Sequence, residues 1–214
     1  MRTAAFTIIE LLVVVAIIGV LAVVAFANIG NMRLYSQRTA SLSNMRQIGV
    51  AFFTYAGENE MRLPRRVTDT NSTGKWPRLL ADYLGDVRVY ATVGSSDNFI
   101  ARNADPLSDA VNNTSYIMNG YNDLGAFTND AVEVRVNHLD RPGQVILLGT
   151  PRSGSTHFYM DLLEGENGNH EDVLDLTHYG DGANYLFADG SARFLTTDTY
   201  RTEMWLVDKT FAVP

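Results

Sequence analysis

Seven oxygen-bearing side chains fall within twelve positions: Glu164, Glu166, Asn167, Asn169, Glu171, Asp172 and Asp175. Carboxylate and amide oxygens at that density are the donors calcium takes, and like charges so close repel unless a cation or solvent separates them. Their spacing fits no EF-hand loop, so a solvated acidic loop stands beside a calcium site as the simpler account. A second group, His178, Asp181 and Asp189, reads either as a metal-binding set or as turn and hydrogen-bonding residues that fix the last hairpin. The four histidines, His138, His157, His170 and His178, lack the close helical spacing of a zinc pair. The segment from Gly149 to His157 has the glycines of a phosphate loop but not its Gly-Lys-Ser/Thr ending. Cysteine is absent, which excludes a thiol nucleophile, a disulfide and a thiolate zinc site. No nucleophile and base fall into a catalytic pattern, and the expectation is a chain that is not an enzyme and holds no cofactor, with calcium as the one ion to consider.

Glu10 is the remaining residue that calls for a chemical reason. It is the sole ionisable side chain between Phe6 and Ala27, a run of 22 residues. As a helix that run extends about 33 Å, enough to cross a bilayer core. A signal peptide is the competing reading, since Ala25-Phe26-Ala27 resembles a cleavage site, but the apolar run before it is long for that role. Arg2 on one flank faces Arg33, Arg38 and Arg46 on the other, so flanking charge leaves the orientation open. A carboxylate inside such a helix costs a few kcal/mol in hydrocarbon unless it pairs or neutralises. Glu10 is therefore either an interfacial residue near the positive helix end or a functional one.

The short basic leader Met1-Arg2-Thr3-Ala4-Ala5, then Phe6, then Glu10 four residues later in an apolar helix, resembles the signal of type IV prepilins and pseudopilins. That resemblance implies a prepilin peptidase that cuts between Ala5 and Phe6 and methylates the new Phe6 amine. It also implies that Glu10 pairs with the amine of a neighbouring subunit during assembly. Ala5 stands where the family usually has glycine. Ala27 stands where many relatives carry a helix-breaking proline, which leaves Gly19 as the weak point of the helix.

Beyond Ala27 the chain turns polar yet keeps helical spacing. Leu42, Met45, Gly49, Phe52 and Ala56 recur at three and four residues, widened by Ile48 and Tyr55, while Arg33, Arg38, Ser43 and Arg46 supply the other faces. Gly57 and Pro64 mark a stop, so one helix from Phe6 to Ala56 of about 75 Å is expected. A short helix follows within Trp76 to Gly85, and the polar stretch from Gly94 to Asn113 reads as loop. Strands are expected at 115–118, 144–148, 157–162, 184–188, 192–196 and 204–207, with a two-residue hairpin at Asp189-Gly190. The segments Asn44 to Ala51, Ser115 to Asn119, Arg141 to Leu148 and Gly182 to Gly190 resemble a pilin-like family named for a domain of unknown function numbered 1559. Its hallmark is a histidine nine residues before an Asp-Gly pair; here ten residues, Tyr179 to Ala188, separate His178 from Asp189.

The expected fold class is α+β, a long N-terminal helix packed on a mainly antiparallel sheet. The expected organisation is a leader over 1–5, a pilin helix over 6–57 (6–27 within the membrane or the assembly) and a globular domain over 58–214. The net charge of -7 and the lack of a basic run argue against nucleic-acid binding. The resemblance implies a structural filament subunit held in the inner membrane, with its C-terminal domain outside the cytoplasm. Its implied partners are the prepilin peptidase, like subunits, the assembly machinery and the lipid bilayer. A membrane-anchored periplasmic binding or metal-dependent module that never polymerises is the alternative.

Overall fold

Helical periodicity that starts in the apolar run and continues through residues 42–56 produces a single long element, α1 (Ile8–Glu58), in the computed structural model. The structure describes residues 7–64, 75–91, 114–120, 135–155, 157–160 and 170–206. The chain divides into two units, Met1–Ser36 and Gln37–Pro214. The second half of α1 thus belongs with the globular unit.

Gly57 does not stop the helix. α1 runs on to Glu58 and ends where Glu60 and Met61 adopt positive φ, 55° and 62°. The Met61 N–H reaches back to the Ala56 carbonyl at 2.7 Å, the long bond of a Schellman ending with Glu60 in the place glycine usually takes. Side-chain contacts hold that unfavourable conformation, since Glu60 accepts from Arg62 at 2.8 Å and from Arg135 at 3.2 Å.

In the globular unit, α2 (Trp76–Ala81) begins with Pro77 in its first turn, where a missing N–H is harmless. Among the described residues five strands follow: β1 (Ile117–Asn119), β2 (Ile146–Gly149), β3 (Tyr159–Met160), β4 (Gly182–Phe187) and β5 (Ala192–Thr196). Two further helices are α3 (His170–Val173), before β4, and α4 (Thr197–Leu206), after β5. The sheet is open, in the order β3-β1-β2-β4-β5; three of its pairings are antiparallel and β1 with β3 is parallel. This is an α+β fold of the pilin type, a long N-terminal helix against a mixed open sheet.

Each face of the sheet has its own core. On β4, Leu186 and Ala188 beyond its end pack with Met45, Ile48, Ala51 and Phe52 of α1. The alternate residues Ala183, Tyr185 and Phe187 pack with Val173, Leu174, Leu195 and Tyr200 on the opposite side. A register shift between Ile146 and Leu148 lets Leu147 and Leu148 both join the α1 side. Phe52 stacks on Trp76 with centroids 5.9 Å apart, and Trp76 meets the edge of Tyr90 at 5.5 Å. Polar groups sew α1 to the sheet: Asn184 donates to the Arg38 carbonyl at 2.8 Å, and the hydroxyls of Ser41 and Tyr116 meet at 3.3 Å.

Two sequence expectations need correction. The last hairpin has a three-residue loop, Ala188 to Gly190. The Gly190 N–H closes a turn on the Phe187 carbonyl, and the Phe187 N–H donates to Ser191. Gly190, at φ 82°, takes the left-handed place that such a loop requires. Residues 204–206, expected in a strand, lie in α4 instead. Thr196 ends β5 and caps this helix, its hydroxyl accepting from the Thr199 N–H at 3.1 Å, and Tyr200 seats the first turn on Tyr185 with centroids 5.1 Å apart.

Candidate functional site

At the start of α1 the chain reads Thr7-Ile8-Ile9-Glu10, the Thr-x-x-Glu spacing of a capping box. The structure closes that box. Thr7 donates to Glu10 Oε2 through its N–H at 2.9 Å and through its hydroxyl at 2.8 Å. The Glu10 N–H returns a bond to the Thr7 hydroxyl oxygen at 3.3 Å. Two orphan donors at the helix start, the N–H groups of Thr7 and Glu10, are satisfied within the chain, and Glu10 has a local partner. Sequence reasoning weighed Glu10 alone and missed Thr7, although the spacing before an apolar run was the available signal. Ala5 and Phe6 lie outside the described residues.

The helix that follows has no polar face in its first turns. Ile8, Val23 and Phe26 are 83%, 70% and 73% exposed, and the Leu, Ile and Val residues between them are exposed on every side. A helix apolar all round finds its complement in lipid or in other apolar helices, because a globular core covers only one stripe. Among the described residues no single helix is long and apolar enough to cross a membrane. Ile8–Val24 and Ile29–Glu58, bent by 45° to each other, pass that test together by length and composition. The straight run Ile8–Val24 is about 26 Å long, short of a hydrocarbon core of about 30 Å. Gly19, the expected weak point, lies inside the straight run.

The acidic group divides among separate tasks. Glu164, Glu166, Asn167 and Asn169 fall outside the described residues. Glu171 receives two bonds from the Arg201 guanidinium, at 3.2 and 3.3 Å. Asp175 meets His178 Nδ1 at 3.0 Å and accepts from the Thr177 N–H at 3.1 Å. Asp172 is exposed on α3. The same dispersal holds for the histidine group. His178 turns to Asp175, the Asp181 carbonyl accepts from the Thr197 N–H at 2.9 Å, and Asp189 accepts from the Ser191 N–H at 2.8 Å within the hairpin turn. Among the described residues no three of His, Asp and Glu are grouped to hold a metal ion, and no charged side chain is buried. The Gly149 to His157 segment pairs with the chain before β4: Arg152 N–H donates to the Val173 carbonyl at 2.8 Å, and Asp175 N–H to that of Thr150 at 2.9 Å.

Residues 1–26 match the family described as the prokaryotic N-terminal methylation motif, a match that includes Ala5, Phe6, Thr7 and Glu10. No curated protein and no solved structure matches the chain.

Proposed function

We propose that the chain is a structural subunit of a type IV pilus-like or type II secretion pseudopilus-like filament, stored in the inner membrane and assembled after leader cleavage. One observation carries this: the methylation motif over residues 1–26 runs into a helix, from Ile8 onward, whose apolar side chains are exposed all round. Such a helix stays in a bilayer as a monomer and leaves it when neighbouring helices offer an equally apolar surface. Cleavage between Ala5 and Phe6 creates an amine at Phe6, and N-methylation keeps its positive charge. Glu10 of the next subunit supplies the countercharge, and removing one side of a buried pair costs about 3–5 kcal/mol. The prepilin peptidase, like subunits and the assembly machinery are the partners that follow.

Intact-mass measurement of envelope or sheared filament material tests the proposal. The expected species begins at Phe6 and carries one added methyl group. A chain beginning at Met1, or at Asn28 after cleavage behind Ala27, overturns it. Glu10→Gln separates a subunit from a plain anchor: the variant should remain in the membrane, be cut after Ala5 and be missing from sheared filaments. Filaments of normal yield built from it would favour a membrane-anchored module in which Glu10 has no assembly role.

A further inference from the structure

Two neighbouring rows of side chains on the α1 face of the sheet differ in kind. In the first, Met118, Leu148 and Leu186 face one another across β1, β2 and β4 and pack with Met45, Ile48 and Phe52 of α1. Two residues along each strand, on the same face, stand Tyr116, Thr150 and Asn184. Asn184 is paired in turn with Phe194, on whose ring the Arg38 guanidinium lies at 3.8 Å. Against this second row α1 sets polar groups. Asn184 donates to the Arg38 carbonyl at 2.8 Å, and Asn44 to the Ala91 carbonyl at 3.1 Å. The Ser41 and Tyr116 hydroxyls are 3.3 Å apart, beyond the about 2.5–3.0 Å of a good O–H···O bond. Thr150 Oγ1 and Asn184 Oδ1 are buried without a hydrogen bond from any described residue. The Tyr179 hydroxyl, also buried, lies beside Ser41 without hydrogen-bond geometry.

A buried oxygen without a partner carries a desolvation cost that contact with water returns. Lifting α1 off the apolar row exposes Met45, Ile48 and Phe52 with no such return. The two rows therefore hold the same helix with unequal strength. We infer that α1 docks in two zones and that the first opens alone: residues 38–44 lift from Tyr116, Thr150 and Asn184 while residues 45–56 stay seated on the sheet. Opening frees about 10 Å of helix at about 1.5 Å per residue. Segments with few apolar contacts open locally, whereas a packed core opens only with the whole fold. Opening of this kind belongs to the folded chain, whether or not the chain assembles.

The chain has no cysteine, so a single introduced thiol reports opening at one place. Ser41→Cys puts that thiol in the polar zone and Ala51→Cys in the apolar zone, both at fully buried positions. The full chain in detergent micelles is treated with a thiol reagent at several urea concentrations below its unfolding transition. Ser41→Cys should react roughly tenfold faster than Ala51→Cys, at a rate nearly independent of urea. Ala51→Cys should react only through global unfolding, at a rate that climbs steeply with urea. Thr150→Val and Tyr179→Phe, added together to Ser41→Cys, remove two unpaired hydroxyls and should slow its labelling roughly tenfold. Equal, urea-dependent rates at positions 41 and 51 overturn the two-zone docking, because α1 then leaves the sheet in one piece. Labelling that is not slowed by the paired hydroxyl removal overturns it too, because the unpaired groups then do not favour opening. Should Ser41→Cys itself lower the melting temperature, Thr150→Cys reports from the sheet side of the same zone. Urea-independent labelling there supports the opening, and urea-dependent labelling overturns it.

Discussion

Phe26 and Phe52 lie on the same helix, yet the first is 73% exposed and the second fully buried. Around Phe26 nearly every neighbour is apolar, so no single face can turn inward and leave a polar one behind. Around Phe52 the positions alternate in function. Met45, Ile48 and Ala56 are buried, while Arg46, Gln47 and Thr54 stay exposed. Hydrophobicity alone does not bury a side chain inside its own fold; an opposing stripe and a surface shaped to it are needed. The first part of α1 leaves its apolar surface exposed, and the second packs its own on the sheet.

Alkaline pH should produce the largest contrast. Tyr90, Tyr116, Tyr185 and Tyr200 all belong to the globular unit, and burial raises the pKa of each hydroxyl. In the unfolded chain a tyrosine ionises near about pH 10. Stability from these groups is therefore complete below that pH and is lost as pH rises towards their folded values. Each contributes a loss of about 1.4 kcal/mol per pH unit in that window. Denaturant midpoints of a fragment beginning at Gln37 should fall steeply above about pH 10. If all the tyrosines of the fragment ionised near about pH 10 while it stayed folded, these four rings would be solvated, and the contrast with the exposed first half of α1 would weaken.

Truncating the two phenylalanines tests the contrast side by side. Phe52→Ala should destabilise the chain by about 3–5 kcal/mol, through lost burial and the cavity left beside Trp76. Phe26→Ala should change stability in detergent by no more than about 0.5 kcal/mol, as for other surface positions. Equal effects on the unfolding midpoint would show that the first half of α1 packs within its own chain.

Glycine substitution sharpens the same comparison at smaller scale. A Cβ on Gly182 would sit 2.1 Å from the Leu195 carbonyl oxygen, so β4 and β5 must part to admit it. Gly182→Ala should cost about 1–3 kcal/mol. A Cβ on Gly19 meets nothing within 4 Å, and Gly19→Ala should stabilise the isolated helix by about 0.5–1 kcal/mol. Thermal unfolding of the globular unit and helix content of the N-terminal segment measure the two. A Gly182→Ala protein as stable as its parent would contradict the tight β4–β5 crossing.

These elements differ in how openly the sequence declares them. The second half of α1 was legible because Met45, Ile48, Phe52 and Ala56 keep a helical period that only one structure satisfies. The hairpin around Asp189-Gly190 was legible in place but not in length, since a glycine that accepts positive φ serves two- and three-residue loops alike. The end of α1 was not legible: Gly57 offered the familiar stop, whereas the chain turns at Glu60, held by Arg62 and Arg135 from a distant segment. The methylation motif was legible through Phe6 and Glu10, while Thr7 escaped notice because a hydroxyl beside an apolar run looks ordinary until its bonds are seen. Of the residues in the metal readings, Glu171 meets Arg201, Asp175 and His178 meet each other, and Asp189 meets the Ser191 N–H, while Glu164, Glu166, Asn167 and Asn169 lie outside the described residues.

The most local expected effect concerns α4, where sequence and structure parted over a strand. Met204, Trp205 and Leu206 form too short an apolar run to tell helix from strand by period. Thr196 decides, since its hydroxyl accepts from the Thr199 N–H at 3.1 Å and meets the Thr199 hydroxyl at 2.9 Å, which satisfies donors at the helix start. Thr196 also pairs with Gly182 in the sheet, so one residue ends β5 and begins α4. Thr196→Ala removes the hydroxyl acceptor but leaves the strand pairing, and should cost about 1 kcal/mol. Thr196→Ser keeps the acceptor and should lose a few tenths at most. Hydrogen exchange locates the effect: amides of the first turn of α4 should exchange faster in Thr196→Ala, whereas those of β4 should keep the protection set by global stability. Uniform acceleration across β4, β5 and α4 would mean that helix and sheet open together. The stacking of Tyr200 on Tyr185, and not the cap, would then be what holds α4 to the fold.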